Sequence, residues 1–206
     1  MQMPVWFQTM KSQMLAGVYR DWGATFVTRG QLDKAISVCS KAIKLNPQMI
    51  EAYVNRGLAK VAKSDYGGAI ADFDAALLLS PRQAVIHAHH GLACYYSGDF
   101  QQAISDFNFA IYLDPEPSVT YVYRGMAEVE QDNLLGAISD YNTAISHNPA
   151  NVVAYRQRAD ARLKLGNLRE ALRDYGMYLE MGVMQNTKAR AEVTAIVASL
   201  RKQLSQ

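Results

Sequence analysis

His87, His90 and Cys94 are the residues whose types and spacing come nearest to a reactive or metal-binding set. Separations of three and four put all three on one stripe of a helix, and imidazole and thiolate are both zinc ligands. A tetrahedral site needs a fourth donor, which one helix rarely supplies, and none stands at a matching offset. Equivalent positions elsewhere in the chain fall on the side of a helix expected to face its partner helix. The three residues are therefore expected to pack, with His90 beside Asp106, and no metal is expected. Nothing else converges on catalysis: there is no Gly-rich phosphate loop, nucleophile elbow, His-Glu metal helix or motif-paired carboxylates. The chain is expected to be non-enzymatic and to carry no cofactor.

The elements that hold these residues repeat. Pro47, Pro81, Pro115 and Pro149 recur every 34 residues, as do Gly23, Gly57, Gly91 and Gly125, and Ala35, Ala69, Ala103, Ala137 and Ala171. A fixed period of this length signals stacked supersecondary units rather than one closed globule. Small residues at the eighth, twentieth and twenty-seventh positions let two antiparallel helices approach closely. An aromatic residue at position twenty-four fills the space they leave, and Pro at thirty-two ends the second helix. Turns between paired helices fall at Gly30-Gln31, Ser64-Asp65, Gly98-Asp99, Asp132-Asn133 and Gly166-Asn167.

Composition narrows the partners. Apolar residues make up 50% of the 206 and charged residues 19%, so ample surface is buried or presented to something. A net charge of +2 without a Lys/Arg block argues against nucleic acid and anionic membrane. No apolar run reaches the roughly 20 residues of a membrane helix, no signal-peptide core precedes the repeats, and two cysteines at unrelated offsets suggest no disulfide framework. A cytoplasmic setting is expected.

The pattern resembles the tetratricopeptide repeat: a helix-turn-helix with small residues at eight, twenty and twenty-seven, aromatics at four and twenty-four and Pro at thirty-two. The resemblance covers Ala16 to about Met181. It implies an all-α, right-handed superhelix, an α-solenoid whose first helices line a concave groove that binds a peptide or protein. The expected organisation is an apolar helical extension over 1–15, repeats at 16–49, 50–83, 84–117, 118–151 and 152–185, and a capping helix over 186–206. The fifth repeat is degenerate, with Ala159 for Gly, Tyr178 for Ala and no closing Pro. In the extension Val5, Trp6, Phe7, Met10, Met14 and Leu15 form an apolar stripe, and Pro4 is placed to start a helix. In the cap Ala189, Val193, Ile196, Val197, Leu200 and Leu204 share a face.

Mapping the family's groove positions gives polar ends and an apolar, aromatic middle. The candidate partner-binding residues are Asn55, Leu58, Val85, His89, Leu92, Tyr95, Tyr96, Val122, Tyr123 and Met126. Leu58, Leu92 and Met126 equally suit packing between neighbouring helices, whereas the tyrosines have the chemistry of binding hot spots. One subset of the family clamps acidic C-terminal tails. Its five offsets carry Arg20, Ala24, Asn55, Val85 and His89, and the loss of cationic donors disfavours that use. A different alternative is a self-assembling subunit that packs copies through the N-terminal stretch or the last helix.

The chain departs from the family at position seven, where Leu is commonest. Arg56, His90, Arg124 and Arg158 stand there, and position twenty-three of the same repeats is Asp72, Asp106, Asp140 and Asp174. In the first repeat the two offsets hold Trp22 and Val38. Covariation of charge between fixed offsets predicts one contact between the two helices of each repeat, polar in four and apolar in the first.

Overall fold

The computed structural model describes residues 5–181 and 187–205. The helix start expected at Pro4, the side chains of Val5, Trp6 and Phe7, and the last residues of the fifth repeat, 182–185, lie outside the described residues. The helices are α1 (Val5–Thr28), α2 (Leu32–Leu45), α3 (Ile50–Ala62), α4 (Tyr66–Leu79), α5 (Ala84–Ser97), α6 (Phe100–Leu113), α7 (Ser118–Glu130), α8 (Leu134–His147), α9 (Val152–Lys164), α10 (Leu168–Glu180) and α11 (Thr187–Leu204). No strand occurs among the described residues, so the all-α expectation holds. They form two compact units that divide between Leu113 and Asp114.

Local chemistry sets where each helix begins and ends. Asp65, Asn133 and Asn151 cap α4, α8 and α9 by accepting the backbone N–H of Gly68, Gly136 and Ala154 at 3.0, 3.1 and 3.1 Å. Second helices stop two residues before proline, because the residue preceding a proline is pushed out of the helical region. Asn46, Ser80 and Asn148 are accordingly extended, with φ of −139°, −146° and −139°. The fifteenth residue of each repeat is left-handed. Gly30, Gly98 and Gly166 adopt that geometry freely, while Ser64 and Asp132, at φ of 62° and 59°, hold it against their Cβ atoms.

In the first unit α1 pairs with α2, α3 with α4 and α5 with α6, and the pairs stack through α2 on α3 and α4 on α5. Small residues make this close. A Cβ added at Gly57 would lie 2.7 Å from the Phe73 ring, and Phe73 is fully buried. Ala69, Ala76, Ile86 and Ala93 complete that core, with Tyr53, Val54, Leu58 and Val61 packed against it.

The second unit repeats the plan: α7 on α8, α9 on α10, and α8 on α9. Gly125 faces Tyr141 as Gly57 faces Phe73. Its last pair is sealed by α11, whose Val193, Val197 and Leu200 share a core with Ala159, Ala171, Tyr175 and Tyr178. The degenerate residue Tyr178 thus packs in the core that the last helix completes. Leu204, assigned by periodicity to the same apolar face, is 37% exposed, because it stands at the end of α11 beyond that core.

Candidate functional site

Charged pairs fix the helices that carry the candidate binding wall. In every repeat with a cation at position seven, that side chain reaches the Asp at position twenty-three. Arg56 meets Asp72 at 2.6 Å, His90 meets Asp106 at 2.7 Å, Arg124 meets Asp140 at 2.5 Å and Arg158 meets Asp174 at 2.6 Å. The four aspartates are buried. In the first repeat Val38 is buried, but Trp22 keeps 52% of its surface exposed and meets Tyr19 edge-on.

The same side chains also reach the preceding repeat. Arg56 donates to Ser40 at 3.0 Å and Arg158 to Asn142 at 2.7 Å, while His90 Nε2 lies 3.3 Å from Asp74. Arg56 and Arg158 therefore each tie three helices, a role that comparing offsets within one repeat does not reveal. Position eleven adds a second cation in two repeats: Lys60 sits 2.8 Å from Asp72, and Arg162 sits 2.6 Å from Asp174.

His90, Cys94 and Asp106 bring their donor atoms within 4.8 Å of one another. Asp106, on α6, is the residue that helix spacing alone could not add to the histidine–cysteine stripe. His90 Nδ1 lies 2.7 Å from Asp106 and 3.7 Å from Cys94 Sγ, and Gln102 donates to the same carboxylate at 3.1 Å. Burial works to lower the His90 pKa, but hydrogen bonds and charge at Asp106 and Cys94 outweigh it and carry the group up to about 10. His90 occupies the offset that Arg fills in three other repeats. The cluster is the third repeat's version of the ion pair.

One outcome is specific to this histidine. Its folded pKa lies above the unfolded value near 6.5, so its contribution to stability is complete below about pH 6.5 and is lost as pH rises through about 10. We expect the first unit to lose stability between pH 7 and 9.5. In His90→Arg the charge persists and the loss attributable to this site disappears. Thermal melts of both chains across that range check it; parallel curves would remove the assignment.

The candidate wall in the first unit has a recess of about 260 Å³ between the starts of α3 and α5. It is lined by Val54, Val85 and Ile86 on its apolar side and by Glu51, Asn55 and Gln83 on its polar side. Asn55 and Val85, two of the ten candidate residues, meet here. Asn55 is half-buried and makes no side-chain hydrogen bond among the described residues. Its neighbour Leu58 turns toward the core around Phe73. His89 stacks on Phe73 at 5.9 Å, and burial lowers its pKa, so the ring is neutral at pH 7.

The tyrosines are grouped differently. Tyr96 stacks on Tyr66 at 5.5 Å and meets Tyr95 edge-on at 5.4 Å, and Tyr95 meets Phe100 at 5.6 Å. Because Tyr66 and Phe100 open α4 and α6, this cluster sits at the turn end of the hairpins, with Tyr96 exposed. Leu92 is half-buried on the same helix. In the second unit Tyr123 and Met126 are half-buried, while Val122, at 3% exposure, presents almost no surface. Val119 and Val153 there are exposed, at the offset of Val85. A valine at position two of three successive repeats was the available signal for them. The second unit also has a recess of about 440 Å³ lined by Gln157, Asp160, Lys164 and Tyr175, into which α11 brings Ile196. Tyr175 donates to Asp160 at 2.5 Å, and Glu192 of α11 lies 3.4 Å from Arg156. The last helix thus covers part of the polar end of the wall.

Family models described as TPR repeat or tetratricopeptide repeat match residues 23–64, 50–83 and 122–182, together more than half of the chain. Solved structures share the fold at low identity. MamA from Desulfovibrio magneticus RS-1 is 17% identical, with 84% of this chain and 97% of that one covered and a TM-score of 0.76. For pilF of Pseudomonas aeruginosa the values are 18%, 94%, 92% and 0.76. YrrB, described as a TPR protein with an unusual peptide-binding site, gives 18%, 86%, 90% and 0.69. No curated protein matches the sequence. No described helix is long and apolar enough to cross a membrane. The phased Gly, Ala and Pro positions, the stacked helix pairs and the family matches agree: the chain belongs to the tetratricopeptide repeat family, a fold that serves as a scaffold for protein–protein interaction.

Proposed function

We propose that the chain is a non-enzymatic scaffold that holds a short segment of a partner protein in the recess between α3 and α5. The observation that carries this reading is the Asn55 amide. The amide reaches solvent at the recess and is not engaged by the described residues, so it is free to pair with a peptide backbone, which offers both a donor and an acceptor. Val54, Val85 and Ile86 beside it provide an apolar seat for one side chain of the segment. Glu51 at the rim favours a neighbouring basic residue.

An acidic tail suits this surface poorly. Of the five clamp offsets, Ala24 and Val85 have no donor, His89 is neutral, and Arg20 is hydrogen-bonded to Asp21 at 2.9 Å. Cys39 and Cys94 are buried free thiols, and burial raises the Cys39 pKa to about 11 despite Arg56, which suits a reducing, cytoplasmic setting.

Selection of displayed peptides on the full chain should enrich sequences with an apolar residue next to a basic one. Asn55→Ala should weaken their binding about tenfold, and Val85→Glu more, with helicity unchanged. Anisotropy titrations with the enriched peptides measure both. Enrichment of acidic tails, or equal affinity for all three chains, would contradict the reading.

A further inference from the structure

On the first helix of each later repeat, positions four, seven and eleven surround the buried aspartate. They hold Tyr53, Arg56 and Lys60 in the second repeat, Tyr121, Arg124 and Glu128 in the fourth, and Tyr155, Arg158 and Arg162 in the fifth. In all three the arginine lies over the tyrosine ring and pairs with the aspartate. The third repeat departs at the three positions together, and each departure is to a residue type that binds zinc: His87, His90 and Cys94. An ion pair with Asp106 needs only one of them. By itself this stripe of α5 lacks the fourth donor of a tetrahedral site, and α6 supplies it as the Asp106 carboxylate.

We propose that His87, His90, Cys94 and Asp106 bind one zinc ion that clamps α5 to α6. His90, Cys94 and Asp106 are buried, with donor atoms no more than 4.8 Å apart. Zinc bonds of about 2.0–2.1 Å to nitrogen or oxygen and about 2.3 Å to sulfur give tetrahedral edges of about 3.4 Å between N and O and about 3.6 Å between N and S. His87 Nδ1 lies 3.4 Å from Asp106 Oδ1, and His90 Nδ1 lies 3.7 Å from Cys94 Sγ. The 2.7 Å contact between His90 and Asp106 is the one a shared proton holds, and it opens by about 0.7 Å when metal replaces that proton. Orientation favours the same reading. His87 Nε2 faces the Pro81 carbonyl at 2.9 Å, which can only accept, so that nitrogen donates and Nδ1 keeps the lone pair of the neutral ring. A carbonyl on the second ring nitrogen is how ligating histidines are commonly oriented. Gln102 donates to Asp106 and steadies the carboxylate. On binding, the His90 and Cys94 protons leave to solvent. The ion pair and the pH response described above are those of the metal-free chain.

The site shares no residue with the Asn55 recess, so either proposal can fail alone. Cobalt(II) is the probe, titrated into the reduced full chain, because a thiolate bound to tetrahedral cobalt gives a ligand-to-metal absorption band. One equivalent should saturate that band, and one equivalent of zinc should bleach it. His90→Arg rebuilds the ion pair of the other repeats, so it should keep its helicity and lose the band. Cys94→Ser should lose it too, and His87→Ala should weaken cobalt binding about tenfold or more. Cys39→Ser should keep it, since Cys39, the other thiol, belongs to no such cluster among the described residues. A full chain without the thiolate–cobalt band would overturn the proposal. So would a band that survives His90→Arg, that is indifferent to His87→Ala, or that disappears in Cys39→Ser at unchanged helicity.

Discussion

Asp174→Ala is expected to destabilise the second unit by about 3 kcal/mol, because it leaves two half-buried guanidiniums without the buried carboxylate they share. Asp174 is 3% exposed and accepts hydrogen bonds from Arg158 at 2.6 and 2.9 Å and from Arg162 at 2.6 Å. Removing a carboxylate that two guanidiniums share leaves both charges half-buried without their counter-ion, although Arg158 keeps its hydrogen bond to Asn142. Arg158→Ala is different, since Arg162 still neutralises the carboxylate, and its cost should be about 1 kcal/mol. Stacked repeats unfold piecewise, so a single melting midpoint would blur the contrast. Native-state hydrogen exchange on α9 and α10 resolves it. Equal protection in the two variants would show that the cation pair does not depend on Asp174.

Gly57→Leu is expected to cost the first unit about 3 kcal/mol, at the upper end for overpacking. The new Cβ alone would lie 2.7 Å from Phe73 Cε1 and 2.8 Å from Cζ. The ring cannot swing away from the fully enclosed position it holds. Gly176→Ala is the control. Gly176 lies inside α10 with nothing near its would-be Cβ, so Ala there should gain roughly 0.5–1 kcal/mol through helix propensity. Opposite signs at the two glycines, measured by denaturant melts, separate close packing from propensity. Two changes of the same sign would contradict the close approach.

The packing and the site were legible to different degrees for physical reasons. Steric rules repeat with the period, so Gly57, Ala69, Phe73 and Pro81 announced the helix pair. The Arg56–Asp72 type of contact was visible because both partners lie in one repeat and their charges covary. The second half of each bolt, such as Arg56 to Ser40, joins different residue types in different repeats and left no pattern. Tyr95 and Tyr96 show the limit for binding surfaces. Their types suggest hot spots, yet Tyr66 and Phe100, at the starts of the helices before and after theirs, already engage their rings. Composition could not tell a tyrosine that packs on its neighbours from one that awaits a partner.

The central claim is that a partner segment seats at the α3–α5 recess. Methyl NMR of the full chain, titrated with a selected peptide, tests it most directly. The account predicts shifts concentrated at Val54, Val85 and Ile86, with the exposed Leu78 of α4 and Val153 of α9 unmoved. Shifts confined to Leu78 or Val153, with the recess methyls silent, would contradict it.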